Sequence, residues 1–143
     1  MTRSSSDCGR LMKEISDNME KVANNALRQY DLTLTQFSAL VLIREYPEEK
    51  MPLKKLEQLL HVSQPTVAGI VNRLAQKGLI EVIGDRDDKR VKYVFLTESG
   101  LDKCKSSSVQ KEIMEHRVMD VLTEDEQVRF EEMLLKIWHQ LMT

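Results

Sequence analysis

Cysteine is scarce in these 143 residues, with only Cys8 and Cys104 present. Two thiols so far apart support neither a disulfide framework nor a zinc knuckle. Cys8 is read as a tail thiol and Cys104 as a small buried apolar residue. Long apolar runs are missing as well. Nothing approaches the roughly 20 residues that cross a bilayer. The opening Met1-Thr2-Arg3-Ser4-Ser5-Ser6-Asp7-Cys8 lacks the apolar centre of a secretory signal. A soluble, cytoplasmic protein with no membrane partner is expected, and its length favours one compact body. The chain also has no glycine-rich phosphate loop, no serine elbow and no cluster of histidines with acids, so an enzyme would be without its usual parts. His61, His116 and His139 are dispersed, with only Glu112 and His116 a helical turn apart, and neither a metal nor a cofactor is expected.

An excess of one charge is the remaining absence. The net charge of −2 argues against a uniformly basic surface, yet the distribution is uneven. Between Leu53 and Lys92 stand eight cations, Lys54, Lys55, Arg73, Lys77, Arg86, Lys89, Arg90 and Lys92, against five acids, Glu57, Glu81, Asp85, Asp87 and Asp88. That stretch carries +3 and the rest of the chain −5. A basic patch on an acidic protein suits phosphate contact confined to one face.

Apolar residues recur at helical spacing in Leu11, Ile15, Met19, Val22, Ala26 and Tyr30, which predicts a long amphipathic helix. A second helix is expected after Thr33 or Thr35, carrying Phe37, Leu40, Val41 and Ile43 until Pro47 stops it. Near the end, Thr97 precedes a helix through Leu101, Cys104, Val109, Ile113 and Val118 to about Leu122. Thr123-Glu124-Asp125-Glu126 then matches a capping box. The last helix sets Val128, Phe130, Met133, Leu134, Ile137, Trp138 and Leu141 on a wide apolar face. These terminal helices hold more apolar surface than a small body covers, a signal for dimerisation; the alternative is that they fold back on their own domain.

The middle of the chain holds the densest pattern. Leu53, Leu56, Leu59 and Leu60 define the inner side of a short helix, with Lys54, Lys55 and Gln58 outside. His61-Val62-Ser63 forms a turn, and the Ser63 hydroxyl is placed to accept a first-turn amide of the next helix. Pro65 fits because a first turn needs no donor. Val67, Ile70, Val71 and Leu74 form the buried stripe of that helix, which turns Gln64, Thr66, Ala68, Gly69, Asn72 and Arg73 elsewhere. Gln and Asn can pair with adenine, Thr can meet a thymine methyl, and Arg can fork onto guanine or phosphate. A mid-helix glycine costs up to about 1 kcal/mol against alanine. Gly69 therefore serves either a deep seat in a groove or close packing on a neighbouring helix. Two strands follow, Leu79-Ile80-Glu81-Val82-Ile83 and Val91-Lys92-Tyr93-Val94-Phe95-Leu96, joined by the charged loop Gly84-Asp85-Arg86-Asp87-Asp88-Lys89-Arg90. Helix, turn, helix and hairpin in this order make a winged helix-turn-helix, mainly α with a small β-hairpin wing, which sets one helix in the major groove and the hairpin against the minor groove. Arg86 is the candidate tip contact. Arg90, paired with Asp85 or Asp88, is the candidate at the wing base.

The chain resembles the MarR family of winged-helix transcriptional regulators. The likeness runs through Leu34-Thr35-Gln36-Phe37 with Leu40, Leu56 through Ser63, Thr66-Val67, Asn72-Arg73-Leu74, Lys77-Gly78-Leu79-Ile80, Asp88-Lys89-Arg90, and Leu96-Thr97 with Gly100. Departures are Glu57 in place of a small residue, His61 where the turn often has glycine, and Lys89 where arginine is commoner. The resemblance implies a homodimer clasped by its terminal helices and bound to a pseudo-palindromic double-stranded DNA operator, usually as a repressor. It implies a DNA-binding lobe at 34–97, with a supporting helix at 53–60, a recognition helix at 64–77 and a wing at 79–96, between dimerisation helices at 8–32 and 98–143. The DNA-contacting set is then Gln64, Pro65, Thr66, Gly69, Asn72, Arg73, Arg86, Lys89 and Arg90, with Asp85 and Asp88 positioning the wing. Relatives often release DNA on binding a small-molecule effector, here expected near Met12, Ile15, Met19, Phe37, Leu40 and Arg44, although periodicity makes most of these ordinary core. Some relatives sense peroxide through an N-terminal cysteine, but Cys8 lacks their aromatic partners. The rival to a DNA reader is a winged-helix module that binds protein without specific DNA contact.

Overall fold

The computed structural model describes residues 5–143, and the side chains of all of these except residues 5, 6, 110, 111, 113 and 114. Residues 1–4 of the expected tail and the Ile113 side chain thus lie outside the described set. Among the described residues, six helices and three strands follow in chain order: α1 Ser5–Leu27, extended by a 3₁₀ turn Arg28–Tyr30, α2 Leu34–Glu45, β1 Met51–Pro52, α3 Leu53–Leu60, α4 Gln64–Gln76, β2 Ile80–Gly84, β3 Lys92–Leu96, α5 Glu98–Met119 and α6 Glu124–Met142. Packing divides the chain into two compact units, Met1–Gln110 and Lys111–Thr143, where length had favoured one body. Every residue of the buried hydrophobic cluster belongs to the first unit.

Local chemistry ends and starts these helices where the sequence places the punctuation. The α1 segment closes at Asp31, held in the left-handed region at φ 57°, with Leu32 N donating to Leu27 O and Asp31 N to Arg28 O. That hydrogen-bond pair satisfies the last carbonyls of a helix end. Thr33 then caps α2 with a reciprocal pair, its Oγ1 accepting from Gln36 N and its own N–H donating to Gln36 Oε1, each at 3.2 Å. Asn24 Oδ1 accepts from Leu34 N at 2.7 Å and ties α1 to the start of α2.

The core is built by Phe37, Leu40, Leu56, Val67, Leu74, Ile80, Val94 and Cys104. Cys104 is completely enclosed, as its small apolar character suggested. Other positions differ from expectation. The buried residues of α1 are Ala23 and Leu27, while Leu11, Ile15 and Val22 of the expected stripe stand exposed. In α3, Leu56 is sealed and Leu53 and Leu60 are half-buried, but Leu59 faces solvent; two turns of helix offer α2 and α4 only one narrow face. Cys8 sits on a helix and is exposed, not in a loose tail.

The three strands form one antiparallel sheet in the order β1-β3-β2, with Val82 opposite Val94, Gly84 opposite Lys92, and Met51 opposite Val94 on the other edge. β1 has no sequence signal, because two residues show no period. Proline is tolerated in it because an edge strand spares one row of donors.

In the second unit, the 3₁₀-like turn after α5 is closed by Gln127, whose side-chain amide donates to Met119 O and Leu122 O at 3.1 Å each. The expected capping box is present: Thr123 Oγ1 accepts from Glu126 N and Glu126 Oε1 from Thr123 N. No residue of α6 is buried, and its apolar face from Val128 to Leu141 is open, with Trp138 50% and Leu141 74% exposed.

Candidate nucleic-acid interface

α3, the turn and α4 form the helix-turn-helix, and β2 and β3 the wing. The turn works because His61 accepts a left-handed backbone at φ 54°, where histidine substitutes for the commoner glycine. Ser63 occupies the N-cap of α4, but its hydroxyl bonds the Thr66 hydroxyl at 2.8 Å instead of a first-turn amide. This differs from the expected cap, and it joins two hydroxyls at the exposed tip of the helix. Val67, Ile70, Val71 and Leu74 are buried as a stripe, which fixes the roll of α4. Gln64, Pro65, Thr66, Ala68, Gly69, Asn72 and Arg73 are all exposed in consequence. A side chain at Gly69 would meet nothing within 4 Å. Close packing on a neighbouring helix is therefore not why glycine stands there in this chain.

α4 ends in a close pair of backbone bonds, Leu79 N to Leu74 O and Gly78 N to Ala75 O, each at 3.0 Å, with Gly78 at φ 73°. The following strand is then locked by Thr97, which donates to Gly78 O at 2.6 Å and accepts from Gly100 N at 3.0 Å. Gly100 is pressed so hard on this corner that an added Cβ would lie 1.9 Å from Leu79 O.

The wing loop is organised by its acids. Asp85 Oδ2 accepts from the amides of Asp87 and Asp88 at 3.2 and 3.1 Å, and Asp85 N donates to Val91 O at 2.8 Å. Asp88 Oδ1 accepts from Arg90 N at 3.0 Å and from Arg90 Nε at 3.2 Å. Of the two partners open for Arg90, the structure selects Asp88. The Arg90 amide and guanidinium hold the Asp88 carboxyl below its ordinary value. Behind the loop, Tyr93 donates to Asp85 Oδ1 at 3.4 Å, its own ionisation pushed up chiefly by the Asp85 charge, while Lys50 Nζ lies 4.4 Å from the Tyr93 ring centre. This support by Lys50 and Tyr93 had no signal in the sequence beyond an aromatic strand. Arg86, Lys89 and Arg90 are exposed, and among the described residues neither Arg86 nor Lys89 has a protein partner. Arg73 likewise has none for its guanidinium.

Between α4 and β2 runs a groove of about 800 Å³ bordered by Ala68, Asn72, Ala75, Val82, Gly84 and Lys92. It joins the exposed face of α4 to the base of the wing. The six residues expected around an effector differ in exposure. Phe37 and Leu40 are core, Met12 and Ile15 are exposed on α1, Met19 is half-buried, and Arg44 borders a 380 Å³ cavity beside Tyr46, Glu48, Leu96 and Leu101. Among the described residues no cluster of His, Cys, Asp and Glu is able to hold a metal, and no helix is long and apolar enough to cross a membrane.

A profile of the MarR family matches residues 32–92. The multiple antibiotic resistance protein MarR of Salmonella typhimurium is 30% identical over 130 residues, 90% of this chain and 89% of its own length. The chain belongs to the MarR family. Two other curated relatives align over less: the HTH-type regulator YybA of Bacillus subtilis at 29% identity and SarZ of Staphylococcus haemolyticus at 30%. These alignments cover 60% and 53% of this chain, and the chain spans only 56% and 50% of their lengths. Among solved structures, a cysteine-to-serine variant of MarR from E. coli complexed with operator DNA superposes with a TM-score of 0.82 at 27% identity, covering 90% of this chain and 91% of that one. MepR of S. aureus, in a complex with DNA, superposes with a TM-score of 0.87 at 25% identity over 97% and 99%. The fold is thus the MarR winged helix, and Gln64 to Arg73 and Arg86 to Arg90 occupy its helix and wing.

Proposed function

We propose that this protein is a DNA-binding transcriptional regulator, not an enzyme, and that two copies bind a pseudo-palindromic operator as a repressor. One observation carries the reading: Asn72 and Arg73 stand exposed on α4, Arg86 and Lys89 stand exposed on a wing whose loop is already organised by Asp85 and Asp88, and Asn72 shares a groove with Gly84 and Lys92 at the base of that wing. Preorganised donors on a helix that projects from its core suit base edges, and cations on a hairpin suit the narrow, electronegative minor groove. Two solved relatives complexed with DNA support the same reading. Homodimer formation is supported by the apolar face of α6 and the exposed Leu11 and Ile15 of α1, surface that a lone chain leaves wet. Release by a small-molecule effector would act along α1, where Met12 and Ile15 are exposed and Met19 half-buried.

The test is a salt titration. Binding to a duplex selected by the protein from a randomised pool is measured for wild type, Arg86→Ala and Arg90→Ala. Each substitution is expected to weaken binding and to flatten the slope of log K against log salt by about one for each phosphate no longer neutralised. Unchanged affinity and slope in both variants, together with an unchanged Arg73→Ala, favours the protein-binding alternative.

A further inference from the structure

By charge, Lys77 belongs with the cations that surround the reading helix. Its contacts are directed inward. The ammonium donates to Asp31 O, donates to Gln36 Oε1 at 3.1 Å, and pairs with Asp31 Oδ2 at 3.5 Å. An ammonium has three donors; two are given to the protein and its charge faces the Asp31 carboxylate. Lys77 is also the one cation of the eight between Leu53 and Lys92 that is not exposed, its side chain 27% accessible. The acceptors are themselves held in place. Gln36 is buried, and its Oε1 is aimed by the capping box with Thr33. Asp31 sits in the left-handed residue that ends the α1 segment, where a helix end presents carbonyls that favour a cation.

We infer that Lys77 is a positioning residue for DNA reading: it clasps the C-terminal end of α4 to the α1–α2 junction and sets the tilt of the reading helix without touching DNA. This rests on α4 being the DNA-contacting helix. The apolar stripe from Val67 to Leu74 fixes depth and roll, but apolar contact is non-directional. At the other end of α4 the ties are weak, with Gln64 Nε2 at 3.4 Å from Glu57 Oε2. The lever is long. A tilt of about 10° pivoted at Lys77 moves Gln64, roughly 20 Å away at ~1.5 Å per residue, by about 3 Å. Base-edge hydrogen bonds do not survive such a shift.

The experiment compares wild type, Lys77→Met and Lys77→Arg on the pool-selected duplex and on a base-shuffled duplex of equal length, across a salt series. Lys77→Met is expected to reduce the affinity ratio between the two duplexes about tenfold, the size of one good base-edge pairing, with the salt slope unchanged. Lys77→Arg, which still donates to Asp31 and Gln36, is expected to keep the ratio. A slope lower by about one with both duplexes weakened equally would mean a phosphate contact and overturn the inference, as would an unchanged ratio in Lys77→Met. If Lys77→Met does not fold, amine labelling of the wild-type protein decides. Lys77 labelling more slowly than Lys89 in the free protein, at a rate the duplex does not alter, supports the clasp. Fast labelling that DNA suppresses overturns it. Should the pool yield no enriched duplex, the DNA-binding reading itself fails, an outcome seen before any variant is made.

Discussion

At the scale of single residues, charge and geometry make opposite forecasts for Asp88. Removing an acid from the wing loop would strengthen phosphate attraction by charge alone, but Asp88 holds the Arg90 amide and guanidinium. Asp88→Ala is therefore expected to weaken binding of the pool-selected duplex several-fold; tighter binding would show that Arg90 needs no such holder. The pH dependence follows from the same contact. The folded Asp88 carboxyl titrates below its ordinary value, so its stabilisation of the loop is fully present above about pH 3.9 and is lost as pH falls through the lower folded value. Duplex binding is expected to show no loss attributable to Asp88 between pH 8 and about pH 5. Two glycines diverge in the same way. Gly69→Ala meets open space and is expected to raise stability in urea by about 0.5–1 kcal/mol while lowering DNA affinity, if the bare backbone serves a close groove approach. Gly100→Ala drives a methyl into Leu79 O and is expected to cost about 3 kcal/mol or more.

At the scale of elements, the terminal helices behave differently from the lobe. α2, α3, α4 and the sheet bury their apolar stripes against one another. α6 buries none of its own, and among the described side chains α1 buries only Ala23 and Leu27. A chain truncated before Glu124 is expected to lose dimerisation, and the full chain to melt at a temperature that rises with protein concentration, as linked association requires. Light scattering that finds a monomeric full chain with concentration-independent melting would remove the dimer. The capping box that starts α6 also carries a charge. Thr123 N–H and hydroxyl keep the Glu126 carboxyl below its ordinary value, so this support of the helix start is present at neutral pH and fades as pH falls through that lowered value.

At the scale of the whole molecule, a net charge of −2 conceals a +3 segment, and the structure puts seven of its eight cations in solvent. Binding is expected to be strongly salt-dependent, because each phosphate neutralised releases counterions, while the acidic remainder discourages indiscriminate coating of DNA. The eighth cation, Lys77, is the instructive exception. A count of charges includes it, and only the approach of Asp31 and Gln36 from far along the chain removes it.

Periodicity, punctuation and charge order were enough to read the helix-turn-helix, the hairpin, the Thr123 capping box and the exposed polar face of α4, since all of these depend on neighbours within a few residues. What pairs across distance was not legible. β1 is too short to show a period and exists because Met51 meets Val94, and Lys77 is drawn inward by Asp31 and Gln36; closer in sequence, the folded loop and turn decided that Arg90 takes Asp88 and that Ser63 turns to Thr66 instead of an amide. The stripe on α1 announced a helix correctly, but not which side of it the core would take, because an amphipathic pattern states that a face will be covered and leaves the covering partner to tertiary structure.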